Sequence, residues 1–145
     1  MENKADRVRK NAEDYYRNGD FYCSEAIVKA VLEEYDYPMS DEIVKLASGF
    51  PVGVGGQGCI CGAVSGGIMC IGMFYGRKKE KDEAVNKTMM LSSELYKRFT
   101  ANHKYTCCKI LTRSMELGSE KHMEQCIALT GEVAYHAVSI IEENK

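Results

Sequence analysis

Seven cysteines are the residues of this chain best suited to chemistry: Cys23, Cys59, Cys61, Cys70, Cys107, Cys108 and Cys126. A thiolate attacks disulfides and binds soft metals, so the question is which of the seven are placed to ionise or to converge. Context separates them. Cys23, Cys61 and one of the pair Cys107/Cys108 each fall in the first turn of a predicted helix. Unpaired N–H groups and the positive end of the helix dipole favour a thiolate there and are expected to lower its pKa. Cys126 falls mid-helix on an apolar stripe, where alone it reads as a small core residue. Cys70 lies on the face of its helix opposite Cys61 and reads as packing. Cys59 forms C-x-C with Cys61, close enough for a bridging ligand or a vicinal disulfide partner.

Other chemistry is thinly supported. His103 stands four residues before Cys107 and His122 four before Cys126, a spacing that leaves room for a mixed Cys/His zinc site. No C-x-x-C is present, which excludes a zinc ribbon and a thioredoxin motif, and without C-x-x-C-H there is no covalent haem. Gly53 to Gly58 matches G-x-G-x-x-G formally, but a helix rather than a strand is predicted before it, so no nucleotide is expected. Carboxylates lie on solvated helix faces, and no Ser-His-Asp arrangement is suggested.

The elements that must position the cysteines are organised around Gly49–Gly76. Ten of the thirteen glycines fall there, and no charged residue occurs from Leu46 to Gly76, although 28% of the chain is charged. That segment is predicted to be the buried centre: a glycine-rich loop to about Gly58, then a core helix over Cys61–Tyr75. The four-residue spacings Gly62/Gly66 and Gly72/Gly76 let another helix backbone approach. Apolar periodicity predicts helices on both sides. One ends near Gly19, a second is capped by Asp20, and a short third starts at Ser40. Others run from about Asp82 to Thr100, from Thr106 to Gly118, and onward from Ser119. The prediction is a single all-α domain, residues 1–145, a bundle of five to seven helices with that central helix the most buried.

A chain of 145 residues with net charge −2 carries no basic stripe, so nucleic-acid binding is not expected. The N-terminus lacks the apolar run of a signal peptide, and the uncharged span is interrupted by Pro51, Gln57 and glycines, so neither export nor a membrane span is expected. Cysteines without a secretory signal point to a reducing, cytoplasmic setting. A homodimer is compatible with the central helix, since a glycine-lined apolar helix packs against a copy of itself.

The string Gly58-x-x-Cys61-Gly62-Ala63-Val64-Ser65-Gly66, with Gly67-Ile68-Met69 behind it, is specific. With Cys23 in YCSEAI, Cys108 in CCKIL and Cys126 in EQCIAL, it resembles the C_GCAxxG_C_C family of redox-active proteins from about Phe21 to Ile141. The resemblance implies that Cys23, Cys61, Cys108 and Cys126 form one redox or metal centre. Lys109-Ile110-Leu111 selects Cys108 over Cys107. Cys59, Cys70 and Cys107 are additions to the pattern. A [2Fe–2S] electron-transfer centre needs four thiolates, and Gly58, Gly62 and Gly66 would line it with backbone N–H groups. Thiol–disulfide exchange through Cys61 with Cys59 or Cys23 is the second reading, and a structural zinc site the third. The expected partner is a redox protein or a thiol substrate.

Overall fold

The computed structural model describes residues 2–145, and among them every regular element is helical. Seven helices occur: α1 Lys4–Arg17, α2 Cys23–Glu34, α3 Ser40–Lys45, α4 Gly62–Tyr75, α5 Ala84–His103, α6 Cys108–Leu111 and α7 Glu120–Glu143. Helix α4 packs against α2, α5 and α7, while α1 closes the bundle over α2 and α7. None of the helices is long and apolar enough to cross a membrane.

Local chemistry sets most boundaries. Asn3 accepts the Asp6 N–H at 2.8 Å and the Asp6 carboxylate faces the Asn3 N–H, which starts α1 as a capping box. Ser119 caps α7 by accepting the His122 N–H at 3.2 Å. Helix α2 begins later than the sequence implies. Tyr22, not Asp20, is its N-cap, and its N–H is held by the Glu25 carboxylate at 3.1 Å, which makes Cys23 the first helical residue.

The glycines of α4 do two different things. A Cβ on Gly66 would meet the Ser24 carbonyl oxygen at 2.8 Å and its Cα at 3.0 Å, so α2 crosses α4 backbone to backbone at Gly66, whereas at Gly62 the close neighbour from α2 is the Cys23 sulfur. The Gly72/Gly76 pair hosts no such crossing: Gly72 has open space, and Gly76 lies past the helix end. Helix α4 is also not the most buried one. Eight of its fourteen residues are buried against eight of twelve in α2, because Met69, Met73, Phe74 and Tyr75 sit at the rim. There Phe74 meets the rings of Tyr35 and Tyr37 edge-on, at 4.9 and 5.5 Å.

The segment expected as a helix from Thr106 to Gly118 forms only the single turn of α6. Gln125 of α7 donates its side-chain N–H to the Leu111 carbonyl at 2.8 Å, satisfying a group that a longer helix would have used. Before α4 the glycine-rich loop makes a left-handed turn, Pro51–Val54, in which Val52, Gly53, Val54 and Gly55 all have φ between 55° and 65°. For a β-branched residue that conformation costs about 1–2 kcal/mol, so packing must impose it on Val52 and Val54. No strand precedes this loop, so the G-x-G-x-x-G match has none of the context a dinucleotide site needs.

Candidate functional site

The cysteines of the central motif and the outer three come from four different helices. Cys23 opens α2, Cys61 is the N-cap of α4, Cys108 opens α6, and Cys126 lies in the second turn of α7. All four line one small cavity of about 30 Å³, together with Tyr16, Val52, Gly62, Ala63, His122 and Leu129. Room for a water or two is what such a volume offers. No Asp, Glu, Lys or Arg borders it. Backbone bonds hold the motif to α6: the Cys61 N–H donates to the Thr106 carbonyl and the Lys109 N–H to the Gly58 carbonyl, at 3.0 Å in the second case. Of Cys107 and Cys108, only Cys108 borders the cavity.

Helix starts do not lower these thiols as the sequence suggested. Burial pushes the Cys23 pKa up to about 12, helped by the neighbouring Cys61 and opposed by the N–H groups of Ser24 and Val52. Burial likewise raises Cys61 to about 11, opposed by the N–H groups of Ala63 and Val64 in the first turn of α4. The helix terminus acts in the expected direction, but removal of water outweighs it. Cys108 and Cys126 are also raised by burial. As free groups the four are therefore thiols at neutral pH, surrounded by donors that would suit a thiolate.

Those donors were only partly visible in the sequence. The Val52 N–H comes from the left-handed turn, so the strained valine backbone serves the Cys23 sulfur. Cys126 has two side-chain partners. The Tyr16 hydroxyl, from α1, is directed at its sulfur, and His122 Nε2 stands 3.4 Å away. His122 Nδ1 accepts the Gly118 N–H at 3.1 Å, so it carries no proton and the ring hydrogen of the neutral imidazole sits on Nε2. His122 thus donates toward Cys126 and has no lone pair free for a metal. His103 is no ligand beside Cys107 either, because its Nε2 lies 3.0 Å from the Glu132 carboxylate. Of the two Cys/His pairs that the spacing allowed, His122 and Cys126 meet at the cavity, while His103 is turned to Glu132.

The remaining residues separate. Cys59 is exposed, and Cys107 is half-buried with its thiol donating to the Gly58 carbonyl at 3.1 Å; neither borders the cavity. Cys70 is fully buried in the core and does not border the cavity, as packing requires. Of the three motif glycines only Gly62 touches the cavity, where a Cβ would press on Cys23 Sγ. Gly66 serves the α2 crossing, and Gly58 accepts from α6 while the Lys109 side chain lies across it. The N–H groups nearest the sulfurs belong to Ser24, Val52, Ala63 and Val64 rather than to the glycines.

Four soft donors, a charge-free lining and surrounding N–H and O–H groups would suit an anionic thiolate-ligated metal centre. As the side chains stand, no three donors among the described residues close on a single ion. No curated protein and no solved structure matches the chain. Residues 21–140 match the profile of the family described as "Putative redox-active protein (C_GCAxxG_C_C)", and the chain belongs to that family.

Proposed function

We propose that Cys23, Cys61, Cys108 and Cys126 hold a [2Fe–2S] cluster, making the chain a small electron-transfer protein that works with a redox partner protein. The observation that carries this reading is the convergence of four thiols from four helices on one buried, charge-free cavity. Once bound, such a cluster supplies reversible uptake of an electron.

The chain's own residues have distinct parts in this reading. Cys23 and Cys61 anchor the buried side, and Cys108 and Cys126, less deeply buried, form the side nearer solvent. The Ala63, Val64, Ser24 and Val52 N–H groups offset the negative charge of the sulfurs, and Tyr16 and His122 do so for Cys126. Because burial keeps the free thiols protonated, loading releases their protons and becomes more favourable as pH rises.

Anaerobic purification with iron, sulfide and zinc analysis tests the proposal. A brown protein with paired iron and sulfide is expected. A colourless protein with one zinc would replace it by the structural-metal reading. A colourless, metal-free protein with a reversible Cys23–Cys61 disulfide would replace it by thiol–disulfide exchange.

A further inference from the structure

Two of the three cysteines outside the family pattern, Cys59 and Cys107, are brought together at the surface, beside the cavity and not in it. Residues 58–61 run alongside 106–109, fastened by the Lys109 N–H to Gly58 carbonyl bond at 3.0 Å and by the Cys61 N–H to Thr106 carbonyl bond. The Cys107 thiol donates to the Gly58 carbonyl oxygen at 3.1 Å. That oxygen is about 2.8 Å from the Cα of the next residue by standard bond lengths, so Cys107 Sγ lies within about 6 Å of the Cys59 Cα. A disulfide requires the two Cα atoms to stand about 4.4–6.8 Å apart, so closing the bridge calls for Cys107 to leave the Gly58 carbonyl and for both side chains to turn toward each other across the fastened segments. Both thiols have access to solvent, Cys59 the more.

We infer that Cys59 and Cys107 form a second, independent redox site: a surface dithiol that is oxidised by a small anionic disulfide. The Cys59 thiolate attacks one sulfur of the disulfide RSSR, whose S–S bond breaks as RS⁻ leaves and takes up a proton. Cys107 then gives up its bond to Gly58, loses its proton, and attacks the Cys59 sulfur of the mixed disulfide. The second RS⁻ departs and is protonated. Two electrons and two protons pass from the dithiol to RSSR, leaving one protein disulfide and two RSH.

The anionic preference comes from the surrounding charge. Lys104, Lys109 and Arg113 are exposed and lie within six residues of Cys107, with no acid between Lys104 and Arg113. None of the three is in an ion pair among the described residues. The Lys109 side chain lies across Gly58, next to Cys59, and Arg113 stands over the Tyr105 ring. In a chain of net charge −2 this is a local cationic rim, which attracts a disulfide bearing carboxylates. The bridge would latch the segment carrying Cys61 to the one carrying Cys108.

The test is to treat the full-length protein with glutathione disulfide, alkylate the remaining thiols, and map the products under non-reducing conditions. The wild-type chain is expected to lose two hydrogens and yield a Cys59–Cys107 bridge. Cys107→Ser is expected to accumulate a glutathione adduct on Cys59. A Cys59–Cys61 or Cys107–Cys108 bridge, or a lasting glutathione adduct on Cys59 in the wild type, overturns the inference. Glutathione disulfide should react several-fold faster than cationic cystamine at low salt, with the difference shrinking as salt is added. Equal rates at low salt overturn the anionic preference. Neither thiol is one of the four at the cavity, so this result is read separately from metal content.

Discussion

A Cβ placed on Gly62 would stand 2.4 Å from Cys23 Sγ. The first residue of α4 is thus shaped by a sulfur at the first residue of α2, and the two helices meet through that contact. Gly62→Ala is expected to displace the Cys23 sulfur and, if the cavity thiols hold a metal, to weaken its retention while the helical circular dichroism persists. Wild-type retention in the variant would show that Cys23 does not need that position.

The same helix supplies a control of opposite sign. Gly66→Ala forces a methyl into the Ser24 backbone, an overpacking that costs about 1–3 kcal/mol. Gly72 has open space around its missing Cβ, so Gly72→Ala gains helix propensity and should stabilise by about 0.5–1 kcal/mol. Urea midpoints of the two variants should move in opposite directions. A destabilised Gly72→Ala would place an unseen neighbour on that face.

Much of this was legible from the sequence, and what was missed was missed for physical reasons. The charge-free glycine segment announced a buried loop and helix, and helix starts marked Cys23, Cys61 and the Cys107/Cys108 pair. Cys126 stood out through the family resemblance and the His122 four residues before it, because mid-helix on an apolar stripe it is otherwise locally indistinguishable from packing. Tyr16 read as part of the α1 core stripe; that its hydroxyl reaches Cys126 depends on how α1 lies over α7. The left-handed backbone at Val52 contradicts the local preference of valine, so no local rule predicts it. The raised thiol pKa values have the same origin: the helix terminus is a sequence feature, whereas the depth of burial that outweighs it belongs to the assembled bundle.

Substitution of the cysteines should sort them sharply. If the four cavity thiols are ligands, Cys23→Ser, Cys61→Ser, Cys108→Ser and Cys126→Ser should each lose most of the bound metal. Cys70→Ala should keep it and cost only about 1 kcal/mol of stability, from lost burial. Cys126→Ser is the most informative, since thiol exchange through Cys61 and Cys23 would leave it nearly silent. Full metal content and visible absorbance in that variant would remove the four-thiolate centre.

His122 should behave as a donor to Cys126 rather than as a ligand. Its Nδ1 is occupied by the Gly118 N–H and its Nε2 hydrogen faces the sulfur. Long-range proton–nitrogen correlation spectra of the metal-free protein should therefore show the ring hydrogen on Nε2. His122→Leu leaves the Gly118 N–H without its partner and should cost about 1–2 kcal/mol. If the cavity thiols hold a metal, His122→Gln, which can still present an N–H toward Cys126, should retain it better than His122→Leu. A ring hydrogen found on Nδ1 would reverse the assignment.

The acid limb of stability should depend on Glu132. Burial alone would raise its pKa, but His103 at 3.0 Å and His136 at 3.6 Å together hold the carboxylate down to about 2. An unfolded-chain glutamate titrates near 4.3, so between these values the unfolded state binds the extra proton. The carboxylate's contribution is therefore complete above about pH 4.5 and is lost as pH falls through the folded value near 2. The slope for this one group cannot exceed about 1.4 kcal/mol per pH unit. Glu132→Gln should be clearly less stable than wild type at pH 6, and the gap in urea midpoint should narrow steadily toward pH 3. A gap that stays constant over that range would mean the two histidines do not hold the carboxylate in its charged form.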